Sequence, residues 1–338
     1  MKDQMFAEKS ERHIAFWKRE KGVGALIGMA PASHVFPLQN IRIEHEGRLE
    51  PVDLTSEIIE MEASYHPVFN VEDALLPSKI PMEFMEWTQA YCGAEVYLSR
   101  KAGTVWTEPG DNPPLSLESL RNRIKPAWLE KIVEVTCANL ESAKGVHLLS
   151  ESLLRGPADC LEALVGAEQL CLMVYDDPAL VYEMNDYFTD RIMEITKAQL
   201  KCLPRVGGGT VNRYRLAGKG ENIVTQADIS NVMSPDTFRE HFMPHYRKLA
   251  AAFDTATIHF HSSAFQHTEA LLEADCFDAI EWGMDPTGPT LEQMIPVFRK
   301  ILETGPCLIL MNIRTDAEVG MILSKLPHDG LCIIRRGN

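Results

Sequence analysis

From about residue 125 onward, short apolar runs and amphipathic helices alternate at least five times. That alternation is the strongest constraint in the chain, because it is how a parallel sheet covered by helices reads. A helix is expected over Pro126–Leu140, then an apolar strand over Val146–Ser150. Asp177 caps a long helix with Pro178 at its first position; its apolar stripe, Val181, Met184, Phe188, Ile192 and Ile195, recurs at spacings of three and four. A strand over Ile223–Ala227 leads to Ser234-Pro235, which opens a helix carrying Phe238, Phe242, Tyr246, Leu249 and Phe253, with a kink at Pro244. A strand over Thr257–His261, a short helix over Glu269–Ala274 and a strand over Ala279–Trp282 follow. Thr290 with Gln293, and Thr315 with Glu318, form two capping boxes on either side of a strand over Leu308–Met311. The last expected strand is Leu331–Ile334.

Polar residues choose between the two architectures that share this alternation. Glu151, Asp228, His261, Glu281, Asn312 and Arg335 all fall at or just past the C-terminal end of an expected strand. A barrel gathers its chemistry from several strand ends at one mouth. A doubly wound sheet carries a glycine fingerprint after its first strand. Here Gly22-Val23-Gly24 precedes that strand, and no GxGxxG follows it. The expected fold is a (β/α)8 barrel with an irregular N-terminal elaboration. The Gly207–Gly209 and Pro109–Pro114 stretches are too short for an interdomain linker, so residues 1–338 read as one domain, 1–124 decorated and 125–338 regular.

Composition narrows the function classes. Hydrophobic residues make up 45% of the chain and charged residues 24%, enough apolar surface for a sizeable core. The net charge of −15 repels phosphate backbones and anionic lipid, so no nucleic-acid or membrane partner is expected. No apolar run approaches the roughly 18–20 residues of a bilayer span, and the charged stretch through Arg19 lacks the apolar core of a signal peptide. The expected location is the cytoplasm. The eight cysteines are scattered, with Cys160 and Cys171 the closest pair, so they read mostly as small buried hydrophobes.

The most informative stretch is Thr257-Ile258-His259-Phe260-His261-Ser262-Ser263. On a strand, Thr257, His259 and His261 share one face, and Ile258 and Phe260 the other. Two imidazoles facing the mouth fit a metal pair, for which zinc is the natural ion. They equally fit a pocket in which neighbouring carboxylates hold both rings without metal. Asp228 and Glu281 each close an expected strand and are suited to general-base, ligand or histidine-orienting roles. Glu281, flanked by Ile280 and Trp282, needs a partner for its buried carboxylate. Glu151, Asn312, Arg314 and Arg335 are the candidate substrate contacts; the arginines suit an anionic group or cover an edge.

Several segments together resemble the uroporphyrinogen decarboxylase superfamily, which includes the cobalamin-dependent methyltransferases. They are Gly156-Pro157-Ala158-Asp159-Cys160-Leu161, Asp176-Asp177-Pro178, Asp228 with Ser234-Pro235-Asp236-Thr237-Phe238 and Pro244-His245-Tyr246, His261-Ser262-Ser263, and Glu281-Trp282. The likeness covers residues 125–338 well and the first third loosely. It implies a barrel with its site at the C-terminal mouth, and a homodimer. The departures bear on activity. Arg12-His13-Ile14-Ala15-Phe16-Trp17 stands where the decarboxylases carry an arginine-rich segment, Ala163 where they carry tyrosine, and Asn338 where they carry a late histidine. The methyltransferases bind zinc through His-x-Cys and a distant cysteine; here His261 matches, Ser263 replaces the cysteine, and the last ligand falls near Asn338.

Three functional readings result. The first is metal-assisted methyl transfer to or from a small molecule with a corrinoid partner protein carrying cobalamin, zinc being held by His261 and His259 with Glu281 or Asp228 completing the shell. The second is decarboxylation of a tetrapyrrole or other carboxylate with Asp228 as general acid. The third is a non-catalytic binder of a corrinoid or another small ligand.

Overall fold

A computed structural model describes residues 2–30, 47–70, 72–82, 86–99, 101, 104–110, 113, 116–152 and 154–336. Its strands are β1 (Leu26–Met29), β2 (Gly47–Leu49), β3 (Ser78–Lys79), β4 (Glu95–Ser99), β5 (Thr104–Glu108), β6 (Leu148–Leu149), β7 (Asn222–Gln226), β8 (Thr255–His261), β9 (Ala279–Gly283), β10 (Cys307–Ile313) and β11 (Leu331–Arg335). Six form one parallel sheet in the order β1-β11-β10-β9-β8-β7. β3 and β6 make a separate parallel pair. Around the gap between these two sheets, the Ala74 amide donates to the Ile27 carbonyl at 2.9 Å, and Ser150 bridges Val211 in parallel. β2, β4 and β5 form an antiparallel sheet.

The first third is therefore more than a covering. It supplies β1, which pairs with the last strand, β11, through Leu26–Cys332 to Met29–Arg335. Its helix Lys2–Trp17 seats Phe16 and Trp17 in a core shared with Leu26, Ile309 and Cys332. His13 is buried there too, bonded to the Ala74 carbonyl at 2.8 Å and accepting from the Ala217 amide at 3.0 Å. Among the described residues, no helix is long and apolar enough to cross a membrane.

Local chemistry explains the helix boundaries. The Asp177 side chain accepts from the Leu180 amide at 3.0 Å, and the helix runs Pro178–Leu200 with the expected stripe buried. Both capping boxes form, opening helices Leu291–Thr304 and Asp316–Lys325. The helix expected from Ser234 is the exception. It is split into a turn, Pro235–Thr237, a π-helical segment, Phe238–Phe242, and an α-helix, Met243–Ala250, that ends before Phe253. Pro244 has no amide to continue the ladder, so the helix widens by one residue and restarts with Pro244 in its first turn. Phe238, Tyr246, Phe260 and Trp282 are fully buried on this side, Phe238 edge-on to Phe260 at 6.0 Å. Cys92, Cys160, Cys307 and Cys332 are buried, whereas Cys137 is exposed and the other three are intermediate, so burial holds for half of the cysteines.

Candidate metal centre

Register places the site. β8 and β9 pair with His259 beside Glu281, so the imidazole Nδ1 bonds a carboxylate oxygen of a residue that is fully buried. Tyr214 donates its hydroxyl to the same oxygen at 2.9 Å. Burial pulls the His259 pKa down, but the Glu281 charge outweighs it and the value is raised. One pleat further along, His261 is held by Asp285, Nδ1 to Oδ1 at 2.8 Å. Ser262 accepts from the Asp285 amide at 3.0 Å and fixes that loop. Each ring is thus oriented through Nδ1, and Nε2 remains to ligate.

Asp228 stands two residues beyond β7 and opens a 3-10 turn, Asp228–Val232. Its Oδ2 is taken by the Arg155 guanidinium and by the Gln226 amide at 2.9 Å. Its Oδ1 is buried without a hydrogen-bond donor and lies 3.7 Å from His261 Nε2. One donor atom from each of Asp228, His259 and His261 lies within 4.8 Å of the others, the one such cluster among the described residues. A two-imidazole, one-carboxylate set with carboxylates behind both rings suits a first-row divalent ion and leaves coordination positions open. No cysteine joins it, and Ser263 bonds Asn231 at 3.0 Å instead.

The neighbouring backbone is adapted to this crowding. A side-chain carbon on Gly283 would stand 3.3 Å from His259 Cε1 and 4.0 Å from the Asn312 amide nitrogen. Asn312 itself adopts a left-handed φ of 64°, at the bulge where β10 slips against β11. Among the other expected contacts, Arg335 pairs with Asp316 at 2.8 Å, and Arg314 is exposed next to the helix cap at Thr315. Neither belongs to the histidine cluster. Asn338 lies outside the described residues.

Three residues that sequence reasoning passed over complete the surroundings. Tyr214 lies in a segment without periodicity and gave no signal. Asp285 follows β9 in Met284-Asp285-Pro286, a turn signal. Asp159 sits in the Gly156-Pro157 segment and is 2% exposed. Burial, reinforced by the nearby Asp228 charge, pushes the Asp159 pKa up to about 7 against the pull of Arg155. A cavity of about 360 Å3 opens beside Asp228 and is lined in part by Trp106 of β5.

Glu151, just past β6, is buried, and burial pushes its pKa up to about 8 against the pull of the Arg213 guanidinium and nearby amides. It holds a proton in the folded chain at neutral pH that the unfolded chain has released above about 4.5. Stability therefore falls as pH rises between those values, by up to about 1.4 kcal/mol per pH unit from this residue. Asp159 acts in the same direction. Glu151→Gln removes the first contribution, so its melting temperature should gain on wild type between pH 6 and pH 8. Parallel pH profiles for the two proteins would exclude a buried neutral Glu151.

A scan against models of known protein families finds no match, and neither does a search of curated protein sequences. Solved structures do match. A methyltransferase from Methanosarcina mazei aligns over 97% of this chain and 93% of that one, with a TM-score of 0.64 at 12% identity. A B12-independent methionine synthase from Shewanella sp. W3-18-1 aligns over 60% and 58%, with a TM-score of 0.40 at 11% identity. N-acetylneuraminate lyase from Mycoplasma synoviae aligns over 61% and 51%, with a TM-score of 0.30 at 13% identity. The last two are too distant to carry an argument. The first shows a shared fold over nearly the whole chain, so the resemblance read from the sequence holds at the level of the fold.

Proposed function

We propose that the chain is a metal-dependent methyltransferase whose site lies at the mouth of a (β/α)8 barrel, with β1, β3, β6, β7, β8, β9, β10 and β11 as its eight staves. The observation that carries this reading is the convergence of Asp228, His259 and His261, each fixed from behind by a partner that leaves one atom free. Their atoms would hold zinc. When bound, such an ion acts as a Lewis acid that polarises a ligated oxygen or lowers the pKa of a ligated thiol or water. Asp228 and the histidines are the ligands; Glu281 and Asp285 are positioning residues. Tyr214 shares the Glu281 charge and keeps that carboxylate from turning toward the site.

The fold shared with a methyltransferase supports methyl transfer over the other readings. A corrinoid protein as methyl source and a small molecule as the other reactant follow from the family resemblance. The test pairs metal analysis with turnover. Protein reconstituted with zinc should hold about one ion per chain and should demethylate methylcobalamin in the presence of a thiol. Chelation should abolish that turnover and zinc should restore it. Turnover that survives complete removal of metal would exclude a metal-dependent mechanism.

A further inference from the structure

The cavity beside Asp228 has a composition that the metal centre does not account for. Asp159, Glu162, Glu86 and Asp228 line it with four carboxylates, against the single guanidinium of Arg155. Arg155 is already met by Asp228 and, at 3.7 Å, by Glu86. Two lining side chains that are at least nine-tenths buried keep an acceptor without a donor, Asp159 Oδ2 and Gln89 Oε1. An orphaned buried acceptor costs about 1–3 kcal/mol, so a ligand that brings N–H donors is favoured there. The remaining lining is largely apolar. It includes Val232, which is 62% exposed, and Trp106, whose indole N–H donates to Glu108 at 2.8 Å while its ring stacks on Tyr97.

We propose that this cavity binds a small molecule with a protonated amine on an apolar body, the ammonium against Asp159 and Glu162 and the body against Trp106 and Val232. An anion of the same shape would face the carboxylates, and a neutral alcohol would bring one donor and no charge. The held Trp106 ring adds a face to which an ammonium is attracted. That such an amine is the substrate of the metal centre rests on the reading above; that the cavity selects it does not.

Calorimetric titration at pH 8, where Asp159 is ionised and the amine still protonated, of the full chain, zinc-loaded and chelator-treated, with benzylammonium, benzyl alcohol and benzoate tests the proposal. Benzylammonium should bind at least about tenfold more tightly than either competitor, as one buried charge-assisted hydrogen bond implies. Asp159→Asn, which keeps an acceptor for the Ile229 amide, should lose about tenfold of that affinity. If that variant does not fold, Glu162→Gln, on the half-buried side of the cavity, decides the matter with a severalfold loss. Equal affinity for the amine and the alcohol, tighter binding of benzoate, or unchanged affinity in the folded variants would overturn the assignment. Selective amine binding by protein that takes up no zinc would sink the metal-centred reading alone. Zinc uptake without amine preference would sink this one alone.

Discussion

His261→Ala is expected to purify folded and to lose stoichiometric zinc. The side chain sits past the packed layers at the end of β8, 37% exposed, so its removal leaves the apolar core beneath intact. Its Nε2 faces Asp228 Oδ1, and its loss would remove one of the three proposed ligands. The expected loss of affinity is several orders of magnitude. His259→Ala would remove a second proposed ligand and should fall as far, with an added stability cost because Glu281 would stay buried without its imidazole. Asp285→Asn touches the metal only through His261 and should cost about 10–100-fold. Metal analysis after dialysis against a graded chelator, alongside circular dichroism, reads all three. Wild-type protein with only trace metal after reconstitution with zinc under reducing conditions would remove the premise, and the histidines would then only shape a pocket.

Gly156→Ala should be strongly damaging. A side-chain carbon there would lie 2.0 Å from the Gln226 carbonyl oxygen and 2.4 Å from the Tyr246 hydroxyl. Neither can yield easily. Gln226 is in the β7 ladder, and Tyr246 is fully buried with its hydroxyl donating to that same carbonyl at 2.9 Å. The collision lies beside Arg155 and two residues before Asp228, which pair across it. A destabilisation of about 3 kcal/mol or more is expected, at the upper end of what overpacking produces. Weaker metal binding should accompany it, because moving the end of β7 moves Asp228. Thermal unfolding and zinc titration check both effects. A variant as stable as wild type would mean that β7 and the Gly156 turn move apart freely, contrary to the close packing described above.

Much of this was legible in the sequence because it is local. The caps at Asp177, Thr290 and Thr315 act within three residues, and the stripe Val181–Ile195 is a property of one helix. Alternation along Thr257–His261 was enough to put both histidines on one face. The isolation of Glu281 between Ile280 and Trp282 foretold a buried partner. The first third was less legible. β3 and β6 are two residues long, too short for any period, and β1 is a strand only because β11 pairs with it.

The division of labour within the site was decided by tertiary structure alone. Sequence left Glu281 and Asp228 as interchangeable candidates for the metal shell. The β8–β9 register set Glu281 against His259 Nδ1, behind the ring, while Arg155 and Gln226 took one oxygen of Asp228 and left the other facing His261. Asp285, Tyr214 and Asp159 joined them from three different segments. Composition and spacing carry residue types and faces, since those depend on a residue's own strand or helix. Which oxygen is bound and which is free depends on strand register and on loops tens of residues away, and only the folded chain brings these together.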